Sequence, residues 1–154
     1  MSESIPPAAR SSIRARLLVA GCLLGGFLVG IPVGAAVATT YSSWVTFGSG
    51  YHVRAYTVDS SGTPIGGSQV EKANGSASPT GYLGGAATLQ RSTASCATVG
   101  MTYNTRSLVR LIVKVEYDCG AGNYRTSAVG SAYNPSTGNY WTTSTPTTPY
   151  QYVP

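Results

Sequence analysis

The chain has 154 residues, of which 42% are hydrophobic and only 10% charged, with a formal net charge of +5. Charge this sparse excludes a solvated, charge-driven disordered segment. The excess is also dispersed. Arg10, Arg14 and Arg16 against Glu3 leave +2 near the N-terminus, and the +3 that remains after residue 38 is spread along the chain, without the Lys/Arg cluster that neutralising phosphates requires, so no nucleic-acid partner is expected.

Residues 1–16 are polar, and Leu17 to Ala38 carries no charge. A basic segment followed by an apolar run and a small-residue site is the plan of a secretory signal. Ala36-Val37-Ala38 supplies small residues where signal peptidase needs them, and Pro32 just upstream breaks a helix ahead of the site. The expectation is a signal peptide over residues 1–38, cleaved after Ala38. The alternative is an uncleaved anchor, because the run is long enough to span a bilayer; the membrane would then be contacted only through residues 17–38. Either way the rest of the chain lies outside the cytoplasm. Val19-Ala20-Gly21-Cys22 resembles a lipoprotein processing box, but the apolar run continues well past Cys22 and does not precede it.

Past the leader, Trp44 to Phe47 is a short strand candidate ended by Gly48-Ser49-Gly50. Tyr51 to Val58 alternates His52, Arg54, Tyr56 and Val58 on one face with Tyr51, Val53, Ala55 and Thr57 on the other. Asp59 to Pro64 reads as a turn, with Gly67 to Lys72 returning as the hairpin partner. Tyr82 to Gln90 is a weaker strand. Leu108 to Cys119 is the clearest element: Val109, Leu111, Val113, Val115 and Tyr117 form an apolar side, and Arg110, Lys114, Glu116 and Asp118 lie opposite. Thr98 to Asn104 is expected to pair with it. Gly122 to Tyr133 and Asn139 to Thr143 flank a hairpin loop at Asn134 to Gly138. Residues 144–154, with Pro146, Pro149 and Pro154, read as an extended tail or edge segment.

Beyond the leader only Cys96 and Cys119 remain, and in an oxidising compartment they are expected to form a disulfide. A metal site would need further ligands, yet the chain has one histidine and no nearby carboxylate cluster, so no metal and no cofactor are expected. The fold class implied is all-β: a small antiparallel sandwich or barrel of about seven or eight short strands over residues 39–143, behind a signal helix.

Catalysis finds little support. His52 is the sole imidazole base and no serine is framed as a nucleophile; Glu116 and Asp118 share a strand face with Lys114 and Arg110, which reads as a solvated charged face. The distinctive feature is eleven tyrosines. Tyr133, Tyr140, Trp141, Tyr150 and Tyr152 crowd the C-terminal region, and such side chains offer a flat apolar face with a polar tip, suited to sugar stacking or protein contact. Leader, β-body and lone cysteine pair together resemble small secreted proteins of Gram-positive bacteria. The functional expectation is a secreted, non-catalytic β-domain binding an extracellular glycan, cell-envelope or protein partner. The alternative is a secreted antagonist, either a bacteriocin-like toxin or a protease inhibitor.

Overall fold

The computed structural model describes residues 37–154. The expected leader lies outside the described residues, except for Val37 and Ala38. Ten strands follow: β1 (Thr39–Tyr41), β2 (Val45–Phe47), β3 (Tyr51–Ser60), β4 (Thr63–Lys72), β5 (Leu83–Arg91), β6 (Ala94–Tyr103), β7 (Arg110–Glu116), β8 (Gly122–Asn134), β9 (Asn139–Ser144) and β10 (Gln151–Val153). They form two antiparallel sheets. The first runs β1-β3-β4-β7, with β2 also on β3; the second runs β10-β8-β5-β6, with β9 also on β8. The sheets pack face to face, β3 against β8, β4 against β5 and β8, and β7 against β5. The chain crosses between sheets after β4, β6 and β7, which is Greek-key wiring.

Alternation builds this core. In β7 Leu111, Val113 and Val115 are buried while Arg110, Ile112, Lys114 and Glu116 are exposed, as the period-two pattern predicts. In β3 Tyr51, Val53, Ala55 and Thr57 point inward. Tyr51 and Val53 meet Leu83 and Ala132 from the second sheet in one cluster; Leu89, Val115, Tyr124 and Val153 form another toward the opposite end.

The excess over seven or eight strands comes from one edge of each sheet, which is broken in two. Between β1 and β2 the Ser42 N–H donates to the Ala55 carbonyl, while the Ser42 hydroxyl accepts from the Ala55 N–H at 2.9 Å. The hydroxyl thus replaces the carbonyl that a regular strand would offer. The same device occurs twice between β9 and β10. Thr145 bonds Ala128 through its own N–H and accepts the Ala128 N–H on its hydroxyl at 3.0 Å; Thr148 treats Thr126 identically. Pro146 and Pro149 follow these threonines directly and lack the N–H that a continuous ladder needs. Residues 145–148 accordingly run along β8 on bonds that alternate backbone N–H donors with hydroxyl acceptors.

The β3–β4 connection is tighter than the six-residue turn expected. Ser61 and Gly62 alone turn the chain, with φ of 54° and 86°, as in a two-residue hairpin, and Asp59 Oδ1 accepts the Gly62 N–H at 2.8 Å. Pro64 therefore falls inside β4, at its start and beyond the reach of β7.

A second correction concerns β6. It pairs with β5, from Gly84↔Tyr103 to Arg91↔Ala94, and not with β7. Asn104 explains the diversion: its buried side chain accepts the Leu83 N–H at 2.8 Å and donates to the Pro79 and Arg106 carbonyls at 2.7 Å each. This fixes the end of β6 beside the start of β5 and sends the chain across to the first sheet. The Cys96–Cys119 disulfide forms as expected, but it joins β6 of one sheet to the segment after β7 of the other. Next to it the fully buried Tyr124 donates its hydroxyl proton to the Gly120 carbonyl at 2.5 Å and accepts the Cys119 N–H at 3.2 Å. A tyrosine at the start of a strand, bonded to backbone just upstream, is the tyrosine corner of Greek-key sandwiches.

Candidate functional site: the uncharged outer face of the second sheet

The two outer faces of the sandwich carry different chemistry. On the first sheet, register sets His52, Glu71 and Arg110 in one row and Arg54, Gln69 and Ile112 in the next. His52 Nε2 lies 2.9 Å from Glu71, whose other oxygen accepts from Arg110. Burial opposes ionisation of Glu71, but these bonds from Arg110 and His52 outweigh it and hold the carboxyl below its ordinary 4.5. Trp44 stacks on His52 with ring centroids 4.1 Å apart. Arg54 lies 4.0 Å from the Tyr41 ring and 4.5 Å from Trp44, and its Nε donates to Gln69 at 2.8 Å. These groups satisfy one another and staple the broken β1/β2 edge onto β3. His52 is engaged on both its edge and its face, with Asp59 seven residues away along the strand.

Tyr56 belongs to this face too, its ring lying where a Gly67 side chain would stand. Burial, with a smaller push from Tyr41, raises its phenol from the ordinary 10.0 to about 12. The folded state thus favours the neutral phenol. Its contribution to stability is complete below pH 10 and is lost as pH rises through about 12. A spectrophotometric tyrosinate titration of the folded protein is expected to show a late phase near pH 12 that Tyr56→Phe removes; a phase unchanged by that substitution would refute the assignment.

The second sheet presents small, mostly uncharged side chains outward: Gly84, Ala86 and Thr88 on β5, Ser127, Val129 and Ser131 on β8, Thr142 and Ser144 on β9. Arg125 is the one cation that the register places among them. The four carboxylates among the described residues lie elsewhere: Glu71 and Glu116 on the first sheet, Asp59 at the β3–β4 turn and Asp118 after β7. Tyrosines occupy one end of this face. Tyr133 and Tyr140 are direct cross-strand partners, with ring centroids 5.4 Å apart. Tyr82 meets Tyr133 at 4.9 Å, and Tyr103 meets Tyr140 at 4.9 Å.

These contacts require the rings to lean across the sheet. Tyr103 lies over Gly84, where even a methyl group would stand 2.6 Å from its ring. Tyr140 reaches from the edge strand to donate to the Gly81 carbonyl at 2.9 Å. Beneath them Ser131, in the row between Gly84 and Thr142, is fully buried and its hydroxyl has no partner among the described residues. Tyr140 and Tyr103 nevertheless keep 42% and 38% of their surface in solvent, so each offers ring area to a ligand. A cavity of about 380 Å³ opens beside them, lined by Thr80, Gly81, Tyr82, Tyr133 and Tyr140.

The structure divides the five aromatic residues singled out in the sequence. Tyr133 and Tyr140 come together. Trp141, next along β9, points to the inner side, 6.4 Å from Tyr51 and directly against Gly48, whose φ of 53° and missing side chain make room for it. Tyr150 and Tyr152 lie at the other end of β8. Tyr82 and Tyr103 were missed. Once β6 is paired with β5, period two places Tyr103 on this face, but the expected pairing of Thr98–Asn104 with β7 hid the signal.

A larger cavity, about 450 Å³, lies by the disulfide, lined by Arg91, Ser92, Ala94, Ser95, Cys96, Cys119, Gly122 and Asn123. It has no aromatic wall, and its cation, Arg91, is turned onto the Ala121 carbonyl. The tyrosine end is chemically the better equipped, with exposed ring faces, hydroxyls and a floor free of charge. The chain matches no protein-family model, no curated protein and no solved structure.

Proposed function

We propose that the protein is an exported, non-catalytic binding module that holds an extracellular glycan or cell-envelope polymer on the tyrosine end of its second sheet. The observation that carries this reading is the pair of half-exposed rings, Tyr103 and Tyr140, on a face without carboxylates. Sugar rings present C–H faces that stack on aromatic rings, while their hydroxyls need neutral donors and acceptors such as the neighbouring tyrosines, serines and threonines. Tying the Tyr140 hydroxyl to Gly81 holds its ring in place before a ligand arrives, which lowers the entropy cost of binding. The disulfide is compatible with an oxidising, extracellular location.

Co-sedimentation of the purified protein with insoluble cell-wall polysaccharide tests the reading. Retention of the wild type is expected, and truncating either ring (Tyr103→Ala or Tyr140→Ala) should cost on the order of tenfold in affinity, about 1.4 kcal/mol. Unchanged circular dichroism would show that the variants still fold. A wild type that stays in solution, or variants retained equally well, would overturn the reading; growth inhibition of related strains by the soluble protein would favour the antagonist.

A further inference from the structure

The outer face of the second sheet has a second aromatic end. Tyr150, from the edge segment before β10, crosses toward the β5–β6 turn and donates its hydroxyl to the Ser92 carbonyl at 3.0 Å. The Arg125 guanidinium lies 4.9 Å from its ring centroid, and Arg125 Nε donates to Gln90 at 2.9 Å. Tyr140 does the same at the other end, where its acceptor is Gly81. One edge of the sheet thus sends two tyrosines over the face, each anchored to backbone just outside an end of β5. Between them the floor is low and hydroxylated: Ala86, Thr88, Ser127, Val129 and Ser144, with Thr88 bonded to Thr98 at 3.1 Å. From Arg125 to Tyr133 is eight residues of β8, about 27 Å at the rise of a strand.

We propose that Tyr150 with Arg125 forms a second subsite of the same binding face, and that the ligand is a linear, uncharged polysaccharide lying along β5 and β8 with sugars stacked at both ends. This rests on the binding-module reading above. Tyr150 keeps 48% of its surface exposed although its hydroxyl is tied down, so its ring is both fixed and available. An uncharged chain fits because Arg125, the one cation that the described residues place on the face, is engaged by the Tyr150 ring and Gln90. An extended chain fits because nothing bulky stands between the two ends. The opposite face of the sandwich, crossed by the Glu71, Arg110 and Arg54 network, offers no comparable path.

Isothermal titration of the full mature domain with cello-, xylo-, manno- and chito-oligosaccharides, from disaccharide to hexasaccharide and then polymer, and with polygalacturonate as the charged comparison, tests this. For the series that binds, affinity is expected to climb with length until both ends are bridged, and to change little with salt. Tyr150→Ala should lower affinity for the longest ligands about tenfold and leave the shortest untouched. Tyr150→Phe, which keeps the ring, should retain most of the length effect. Tyr140→Ala should weaken short and long ligands alike. If Tyr140→Ala weakens binding while Tyr150→Ala does not, the second subsite is overturned and the module reading stands. Binding only to a uronic-acid polymer, with steep loss in salt, would overturn the uncharged ligand. No binding to any glycan would overturn both.

Discussion

Removing the Cys96–Cys119 bridge is expected to destabilise the domain by about 3 kcal/mol, the chain-entropy value for a loop of this length. The cysteines are 23 residues apart in sequence, and their bridge is the covalent tie between the sheets on the side where β6 faces β7. Without it, contacts such as those of Ala97 and Val99 against the Val115 cluster must hold that side. For a domain of this size the loss corresponds to roughly 12 °C in melting temperature. Scanning calorimetry of Cys96→Ser/Cys119→Ser against wild type measures it, and a shift of only a degree or two would show that packing alone closes this side. Tyr124 acts on the same corner. Tyr124→Phe would leave the Gly120 carbonyl and the Cys119 N–H without their partner, a loss of about 1–3 kcal/mol.

Gly130→Ala is expected to cost about 1–3 kcal/mol, although it adds only a methyl group. Gly130 sits mid-β8 on the inner side, where a Cβ would lie 2.7 Å from Val53 Cβ on β3. Gly85 stands in the same relation to Val113, at 2.9 Å, and Gly66 to the Thr126 hydroxyl, at 2.5 Å. These three glycines let the sheets approach closely enough for Thr57 to bond both Thr126 and Thr148 at 2.8 Å inside the core. Val53→Gly removes the Cβ and both Cγ atoms that crowd this point and so makes room for the new methyl, but by itself it deletes buried carbon and frees the unfolded chain, a loss of about 3 kcal/mol. The double variant should therefore lose less than the sum of the two single losses, by about 1 kcal/mol, in urea unfolding. Strict additivity would show that Gly130 and Val53 do not share this space.

How much of this was legible in the sequence depended on whether the determining contact was local. β3 and β7 were readable because each carries its burial pattern in its own alternation. The Asn134–Gly138 hairpin was readable because Pro135 and Gly138 mark the turn, and Gly138 adopts φ of 71°. The disulfide followed from having two cysteines left after the leader. The partner of β6 was not readable. Ala94 to Tyr103 has weak alternation, and the choice between β5 and β7 is made by Asn104, whose side chain bonds residues more than twenty positions away. That error propagated to the site, since Tyr82 and Tyr103 join Tyr133 and Tyr140 only when β6 lies beside β5. The broken edges were equally silent, because a serine or threonine that substitutes for a backbone carbonyl looks in sequence like any other. Such edges offer a neighbouring molecule no continuous row of backbone groups to pair with.

The Ala38 carbonyl accepts bonds from the Asp59 N–H at 3.0 Å and from the Gln151 side chain at 2.8 Å. Ala38 is thereby pinned beside β10 and the β3–β4 turn, while the four clustered tyrosines stand at the opposite pole, a strand length or about 30 Å away. This gives the domain a polarity of display. An immobilisation handle at Ala38 leaves the tyrosine cluster at the pole of the sandwich farthest from its attachment point. A sensor surface built through that end would leave the cluster open to polymers in solution, whereas coupling through the Asn134–Gly138 hairpin would bury it against the support.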